Sequence, residues 1–269
     1  MWNGSNNANP HIVEHFRRPA MRQFSSLFGC LLAVVLYSPA VQSQTRPPVP
    51  PTQGLDIIFV VNGSGADLSV SENLTKAICK HRLALNTDTI AWCRWGAMIA
   101  DHQDYWAQVW AAGSLAGKVA DYHARWPQSK IYLIGHSAGC HVVLAAADKL
   151  PPLTIEGIVL LAPSVSTCYD LRPALRSSRR GIDCYFSFDD NLVSVGSEKF
   201  GTADGQWTKP AGEIGFTRLP PNFPDACLYR NLRHHRWAPE MEWTGHRGGH
   251  YGFTTENFLD FYVLPIMVK

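Results

Sequence analysis

The residues best placed to do chemistry form the pentapeptide Gly135-His136-Ser137-Ala138-Gly139. An apolar run at 131–134 precedes it, and an alanine-rich segment of helical character follows it. A serine at a sharp turn from strand to helix is pushed toward positive φ, and glycines on both sides remove the side chains that would collide. The N-terminus of the following helix favours negative charge beside the serine. We therefore predict that Ser137 is a nucleophile, with an ordinary glycine-rich turn as the alternative.

Strand and helix patterns alternate on both sides of this turn. Apolar, β-branched runs predict strands, and segments with helical spacing lie between them. The predicted strands span residues 55–61, 89–95, 130–134, 155–161, 182–188 and a shorter segment at 214–219, and the predicted helices span 71–82, 104–126, 140–150 and 254–268. This alternation predicts an α/β fold with a doubly wound, mostly parallel sheet of about six strands and helices on both faces. Functional groups should collect beyond the carboxyl ends of its strands.

In this setting the pentapeptide resembles the nucleophile elbow of the α/β-hydrolase superfamily, and the resemblance covers roughly residues 55–269. The resemblance implies an esterase- or lipase-like serine hydrolase. It also implies a chain order in which the nucleophile comes first, the acid follows a later strand, and a histidine precedes the last helix.

Two carboxylates could supply the acid, because Asp189 and Asp190 both follow the predicted strand 182–188. In lipase-like members a serine stands three residues before the acid and apolar residues follow it. Ser187, Asp190, Leu192 and Val193 match that pattern, so the resemblance favours Asp190 over Asp189. The acid would orient the imidazole and stabilise its charged form.

The resemblance places the base at His250, which lies in the glycine-rich segment 248–253 just before the last predicted helix. His246 is the alternative base. A metal cluster of His234, His235, His246 and His250 matches no metal-binding spacing, so we expect neither a metal nor a cofactor.

An oxyanion needs two backbone N–H donors. By resemblance one comes from Ala138, directly after the serine. The other comes from the loop Asn62-Gly63-Ser64-Gly65 after the first strand, by position from Ser64 or alternatively from Gly63. Asn62 would either orient this loop through its side chain or cap a tight turn.

These residues predict a hydrolase that cleaves a carboxylic ester through a Ser-His-Asp triad and an acyl-enzyme intermediate. An acyltransferase using the same triad, and a non-catalytic binding protein on a hydrolase fold, are the alternatives. Trp92 and Trp95, at the end of the predicted second strand, are candidates for the pocket wall. The stretch of about 20 residues after the fourth strand is too short for a large lid, so we expect an open cleft.

The first 43 residues have the features of a leader with a signal peptide. Met21 and Arg22 precede an apolar run at 27–37, and small residues follow at 38–43. The run is short for a membrane span, although a membrane anchor is the alternative. Residues 44–54 read as a proline-rich linker and 55–269 as the hydrolase domain. We therefore expect an exported protein without a stable membrane span after cleavage, with Met21 as the alternative start.

Composition sets further limits. The chain is 46% hydrophobic and 17% charged, and its formal charge of +2 resides in the leader. A balanced mature chain gives no reason to expect nucleic acid as a partner; the expected partner is a small or lipid-like ester. Six cysteines remain after the leader and permit up to three disulfides in an exported protein: Cys79, Cys93, Cys140, Cys168, Cys184 and Cys227.

Overall fold

The computed structural model describes residues 54–268. Its centre is a six-stranded sheet in which every neighbouring pair is parallel, in the order β2-β1-β3-β4-β5-β6. The strands are β1 (Asp56–Val61), β2 (Leu85–Thr89), β3 (Ile131–His136), β4 (Gly157–Leu161), β5 (Ile182–Phe186) and β6 (Leu232–Arg236). The prediction of a doubly wound parallel sheet of about six strands is confirmed.

Helices cover both faces of the sheet, as predicted. They are α1 (Ser69–Lys80), α2 (Met98–Gln103), α3 (Tyr105–Arg125), α4 (Gly139–Ala147), α5 (Arg172–Ser177), α6 (Asn191–Phe200), α7 (Ala211–Ile214), α8 (Glu256–Phe258) and α9 (Leu264–Met267). Alternate β1 residues point to opposite faces, so that Phe59 packs with α3 and α4 while Ile58 packs with α1 and the C-terminal helices.

The strand order reverses between β1 and β3. From β1 the chain moves outward to β2, and then returns across β1 to place β3 on its other side. A crevice forms at such a reversal, beyond the carboxyl ends of the two strands. The loop that begins at Asn62 and the turn at Ser137 leave β1 and β3 at this point, which brings them together.

Both edge strands differ from the predictions. The second strand is β2 at Leu85–Thr89, not 89–95, and the sixth is β6 at Leu232–Arg236, not 214–219. Edge strands are only half covered and carry polar side chains, so they lack the apolar run that marks a central strand. The apolar run at 89–95 exists for another reason, because Ile90 and Trp92 enter the core from a loop.

The C-terminal helix is shorter and less regular than the predicted 254–268. A 3-10 helix at His250–Thr254 comes first, followed by α8, a π-helical turn at Leu259–Val263 and α9. Thr255 precedes α8, but its hydroxyl donates to the carbonyls of Thr244 and Gly252 and does not cap the helix.

None of the six described cysteines forms a disulfide. Cys140 and Cys184 are buried, Cys93 is half-buried, and the other three are exposed. No helix within residues 54–268 is both long and apolar enough to cross a membrane. The predicted leader and nearly all of the linker lie outside the described residues, so export and cleavage remain predictions.

Candidate active site

Ser137 occupies the tight turn between β3 and α4 with φ of +54°. Two glycines make this turn possible. A Cβ added at Gly135 would lie 2.7 Å from Cys140 Cα, and one at Gly139 would lie 2.4 Å from the carbonyl oxygen of Asn62. Only glycine fits at either position without moving backbone, which is the physical reason for the pattern seen in the sequence.

The backbone of Ser137 is tied to the next strand. Its N–H donates to the Leu161 carbonyl over 2.9 Å, and its carbonyl accepts from the N–H groups of Cys140 and Ser164, each over 3.1 Å. These bonds hold the strained residue in place, so the side chain projects from a rigid support.

A buried imidazole and a buried carboxylate meet next to this turn. His250 Nδ1 lies 2.7 Å from Asp190 Oδ2, and Asp190 is 0% exposed. Asp190 is also the N-cap of α6, where its Oδ1 accepts from the Val193 N–H over 3.0 Å. Asp189 is exposed to solvent. Of the two candidate acids, the structure brings Asp190 to His250.

Ser137 and His250 line one cavity of about 580 Å³. Ser137 Oγ forms no hydrogen bond with any residue between 54 and 268, His250 included, so the hydroxyl is free toward the cavity. Asp190 holds the imidazole of His250 through Nδ1, so Nε2 is the ring nitrogen that Asp190 does not engage.

Three unused N–H groups lie in the segments that border the serine. Within residues 54–268, neither the Ala138 N–H nor the Ser64 N–H has a hydrogen-bond acceptor, and the same holds for Gly63. A Cβ added at Gly63 would lie 3.3 Å from Ser137 Cβ, so this loop passes directly beside the serine. Both predicted oxyanion donors therefore belong to segments that border Ser137, and the choice between Ser64 and Gly63 stays open.

The loop after β1 is held by side chains. Asn62 Nδ2 donates to Ser71 Oγ over 3.0 Å, and Asn62 Oδ1 accepts from the Ser71 N–H over 3.2 Å. Trp92 Nε1 donates to the Asn62 carbonyl over 2.8 Å. Asn62 thus orients the loop, which was one of its two expected roles.

Asp101 is a supporting residue that the sequence reasoning missed. It is 1% exposed, and its carboxylate accepts from three backbone N–H groups, those of Gly65, Arg94 and Trp95. It joins the loop after β1 to the segment before α2. No motif marks this position, because its partners are backbone groups that become neighbours only in the folded chain.

His246, the alternative base, lies in the core. Its ring centroid is 4.1 Å from that of Phe253, and its Nδ1 accepts from the Gly248 N–H over 3.1 Å. Burial lowers its pKa to about 4. A Cβ at Gly252 would come 1.9 Å from its Nδ1, so Gly252 is needed to accommodate the ring.

His136, next to the serine, is also buried and neutral. Desolvation, and next the neighbouring charge of His250, hold the pKa of His136 well below its ordinary value. Its ring centroid lies 4.8 Å from that of His250. It packs beneath the catalytic candidate as an uncharged support.

The walls of the cavity come from helices that were not predicted. Met98 and Ile99 project from α2, and Leu192, Val195 and Phe200 from α6. Trp92 and Trp95 do not line this cavity. Trp92 lies in the core and borders a different cavity with Trp106 and Trp110. The segment after β4 contributes Ser164 to the cavity, and α6, the helix after Asp190, supplies one of its walls.

No group of three or more His, Cys, Asp or Glu side chains within residues 54–268 is arranged to hold a metal ion. His234 accepts from the Phe216 N–H, and His235 pairs with Asp183. The four histidines once considered as a cluster therefore have separate partners.

A scan against models of protein families finds no match, and no curated protein matches the chain. Solved structures do match it. A protein of the α/β hydrolase superfamily from Xanthomonas campestris pv. campestris gives a TM-score of 0.43 at 14% identity, covering 79% of this chain and 99% of its own. The catalytic core domain of acetyl xylan esterase from Trichoderma reesei gives 0.36 at 12% identity, covering 70% and 85%. A cutinase from Trichoderma reesei with a phosphonate inhibitor gives 0.41 at 15%, covering 61% and 73%. The strand order and the serine turn after β3 are those of the α/β-hydrolase fold.

Proposed function

We propose that this protein is a serine hydrolase that cleaves a carboxylic ester through an acyl-enzyme intermediate, with Ser137 as nucleophile, His250 as base and Asp190 as acid. The observation that carries the proposal is the buried 2.7 Å contact between His250 Nδ1 and Asp190 Oδ2, beside a positive-φ serine that lines the same cavity. An imidazole anchored by a carboxylate can accept a proton, because the carboxylate stabilises the imidazolium that results.

In the proposed reaction His250 Nε2 takes the proton of the Ser137 hydroxyl as Oγ attacks the ester carbonyl carbon. The negative oxygen that develops accepts hydrogen bonds from the N–H of Ala138 and from that of Ser64 or Gly63. The imidazolium then protonates the leaving alcohol, and the acyl group remains on Ser137. A water molecule, deprotonated by His250, attacks the acyl-enzyme carbonyl. The imidazolium then protonates Ser137 Oγ as the bond to the acyl group breaks and the acid is released.

The aliphatic lining of the cavity supports an ester with an apolar acyl group. The walls from α2 and α6 are mostly aliphatic, and Met98, Ile99, Leu192 and Val195 are all partly exposed at the mouth. An apolar chain lying between these helices would remove this surface from water, at about 25 cal/mol for each Å² buried. We expect the rate to rise with acyl length until the chain fills the cavity.

The test is hydrolysis of p-nitrophenyl esters from acetate to palmitate by the wild type and by Ser137→Ala. We expect the substitution to reduce kcat by a factor on the order of 10³ to 10⁶, with little change in Tm, because the side chain makes no hydrogen bond within the described chain. Ser114→Ala, an exposed serine on α3, is the matched control and should retain full turnover.

A fluorophosphonate probe adds a readout independent of substrate choice. The wild type and Ser114→Ala should be labelled, and Ser137→Ala should not. Turnover that persists in Ser137→Ala would remove this serine from the mechanism, and an unlabelled wild type would favour a binding protein on a hydrolase fold.

A further inference from the structure

A second cavity, of about 560 Å³, lies along α4 and shares no lining residue with the catalytic cavity. It is bounded by α3, by α4 and by the loops that follow β4 and α6. The side chains that matter below are Tyr105, His141, Asp148, Tyr169 and Asp204. The proposed ester chemistry uses none of them.

His141 presents a hydrogen-bond acceptor to this cavity. Gln108 Nε2 donates to the His102 carbonyl over 2.8 Å, which makes Gln108 Oε1 an acceptor. His141 Nδ1 lies 2.6 Å from that Oε1 and must therefore carry the hydrogen. His141 is only 4% exposed, and desolvation by this burial lowers its pKa, so the ring is neutral and Nε2 holds a lone pair. Nε2 has no partner within residues 54–268 and is not enclosed by protein atoms.

Two carboxylates line the same cavity outside any ion pair. Neither Asp148 nor Asp204 forms an ion pair with any residue of the described chain. Lys149 also lines the cavity but pairs with neither of them. The Asp148 carboxylate accepts from the Tyr169 hydroxyl over 3.1 Å. Asp204 accepts from the N–H and the hydroxyl of Ser166, over 2.8 and 2.5 Å.

These contacts set the polarity of the part of the cavity around His141, Asp148 and Asp204. The hydroxyls of Tyr169 and Ser166 already donate to carboxylates, so they offer no hydrogen to a ligand. The carboxylates keep free lone pairs, and His141 Nε2 adds another acceptor. Aromatic rings complete the lining, since Tyr105 stacks on His141 at 5.9 Å between centroids and Tyr169 meets it edge-on at 6.0 Å. Acceptors, unpaired negative charge and π faces together suit a positively charged hydrogen-bond donor.

We propose that the cavity beside α4 binds a small organic cation, a primary ammonium or guanidinium group, held between Asp148, Asp204 and the Nε2 atom of His141. An anionic ligand would face two carboxylates of like charge. A neutral polyol would satisfy the acceptors but leave both charges uncompensated.

The test is calorimetric or NMR titration of the full chain with benzylammonium, using benzyl alcohol as the neutral analogue of nearly the same shape. We expect benzylammonium to bind with a Kd in the millimolar range and benzyl alcohol to bind at least about tenfold more weakly. D-Glucose serves as the polyol probe and should not bind measurably.

Asp148→Asn, at the mouth of the cavity, should weaken benzylammonium binding by about three- to tenfold, since it removes one charge and keeps the shape. Asp148→Asn combined with Asp204→Asn should abolish binding. Asp121→Asn, an exposed carboxylate on α3 outside the cavity, is the matched control and should bind as the wild type does. Circular dichroism of each variant checks that it is folded.

Equal binding of benzyl alcohol, measurable binding of D-glucose in place of the cation, or undiminished benzylammonium binding by a folded Asp148→Asn protein would each overturn the proposal. Ser137→Ala should bind benzylammonium as the wild type does, because Ser137 does not line this cavity. This titration therefore tests the cation site independently of the proposed ester chemistry.

Discussion

The cavity beside Ser137 and the cavity along α4 each contain a histidine held through Nδ1, but the partners differ. In the first cavity His250 Nδ1 meets the carboxylate of Asp190 at 2.7 Å, and in the second cavity His141 Nδ1 meets the carboxamide of Gln108 at 2.6 Å. Both contacts fix the ring and its tautomer. Only the carboxylate also stabilises a positive ring, so His250 has the partner that the proposed general base requires and His141 does not.

The partner of Nδ1 therefore decides what a buried imidazole can do. With a carboxylate it is a base. With a carboxamide it is a fixed, neutral acceptor. His246 represents a third case, because its Nδ1 accepts a backbone N–H and its Nε2 is buried without a partner within the described chain. Exchanging these partners is the most direct way to test the comparison.

Asp190→Asn should have the largest effect. The amide can still accept the Val193 N–H and cap α6, but it no longer stabilises the imidazolium and can favour the wrong tautomer of His250. A loss of kcat on the order of 10⁴ is expected, as for the same exchange in a serine protease triad, with Tm nearly unchanged. Turnover of p-nitrophenyl butyrate is the measurement.

Asp189→Asn is the control for this exchange, since it alters the exposed neighbour and leaves the contact with His250 intact. It should keep near wild-type turnover. If Asp189→Asn were the damaging change and Asp190→Asn the harmless one, the assignment of the acid would have to be reversed.

The next largest effect concerns stability at acid pH. The pKa of His246 is about 4 in the folded chain and close to 6.5 when unfolded. Below pH 6.5 the unfolded chain binds a proton that the folded chain does not, so stability falls with pH until about 4. This histidine alone should remove up to about 3 kcal/mol across that window.

Urea unfolding at a series of pH values measures the slope of the free energy of unfolding against pH. His246→Asn lowers stability at neutral pH because it empties part of the core. Between pH 6.5 and 4, however, its free energy of unfolding should fall less steeply with pH than that of the wild type, by about the contribution of one proton. His123→Asn, on the accessible side of α3, should leave the slope unchanged. An undiminished slope in His246→Asn would show that other buried histidines carry the acid sensitivity.

The smallest effect is expected from Gln108→Glu, which gives His141 the kind of partner that His250 has. The new carboxylate should raise the pKa of His141, measurable by NMR titration of its Cε1 proton. The fold should lose about 1–3 kcal/mol, because the His102 carbonyl loses its donor. Ester turnover should change by less than about threefold.

Gln103→Glu, at the exposed end of α2, is the control for an added carboxylate and should leave the pKa of His141 unchanged. A fall in the pKa of His141 in Gln108→Glu would contradict the view that its Nδ1 partner sets its charge.

The sequence predicted the elements whose constraints are local. The serine turn needs glycines at fixed positions, and the four central strands are buried on both faces, so both leave strong patterns. The edge strands β2 and β6 were misplaced because their side chains are polar. Asp190 was chosen over Asp189 by a family pattern, and its contact with His250 could not be derived from the residues alone, since 60 positions separate them.

Other parts of the site left no local signal. Asp101 serves three backbone N–H groups that come together only through tertiary structure. The aliphatic walls belong to α2 and α6. These helices are too short for their sequences to show a clear helical periodicity. His141 and Gln108 lie on two helices whose pairing decides their contact.

Asp190 restrains two things at once, and this would limit how the proposed hydrolase can be redesigned. One oxygen fixes His250, and the other fixes the first turn of α6, the helix that carries Leu192 and Val195 into the wall of the cavity beside Ser137. A bulky replacement that tilts α6 to admit a longer chain would shift the base as well. Selection for a new acyl preference would therefore be more readily met by changes at Met98 and Ile99 on α2, because the Asp190 carboxylate makes no hydrogen bond to that helix.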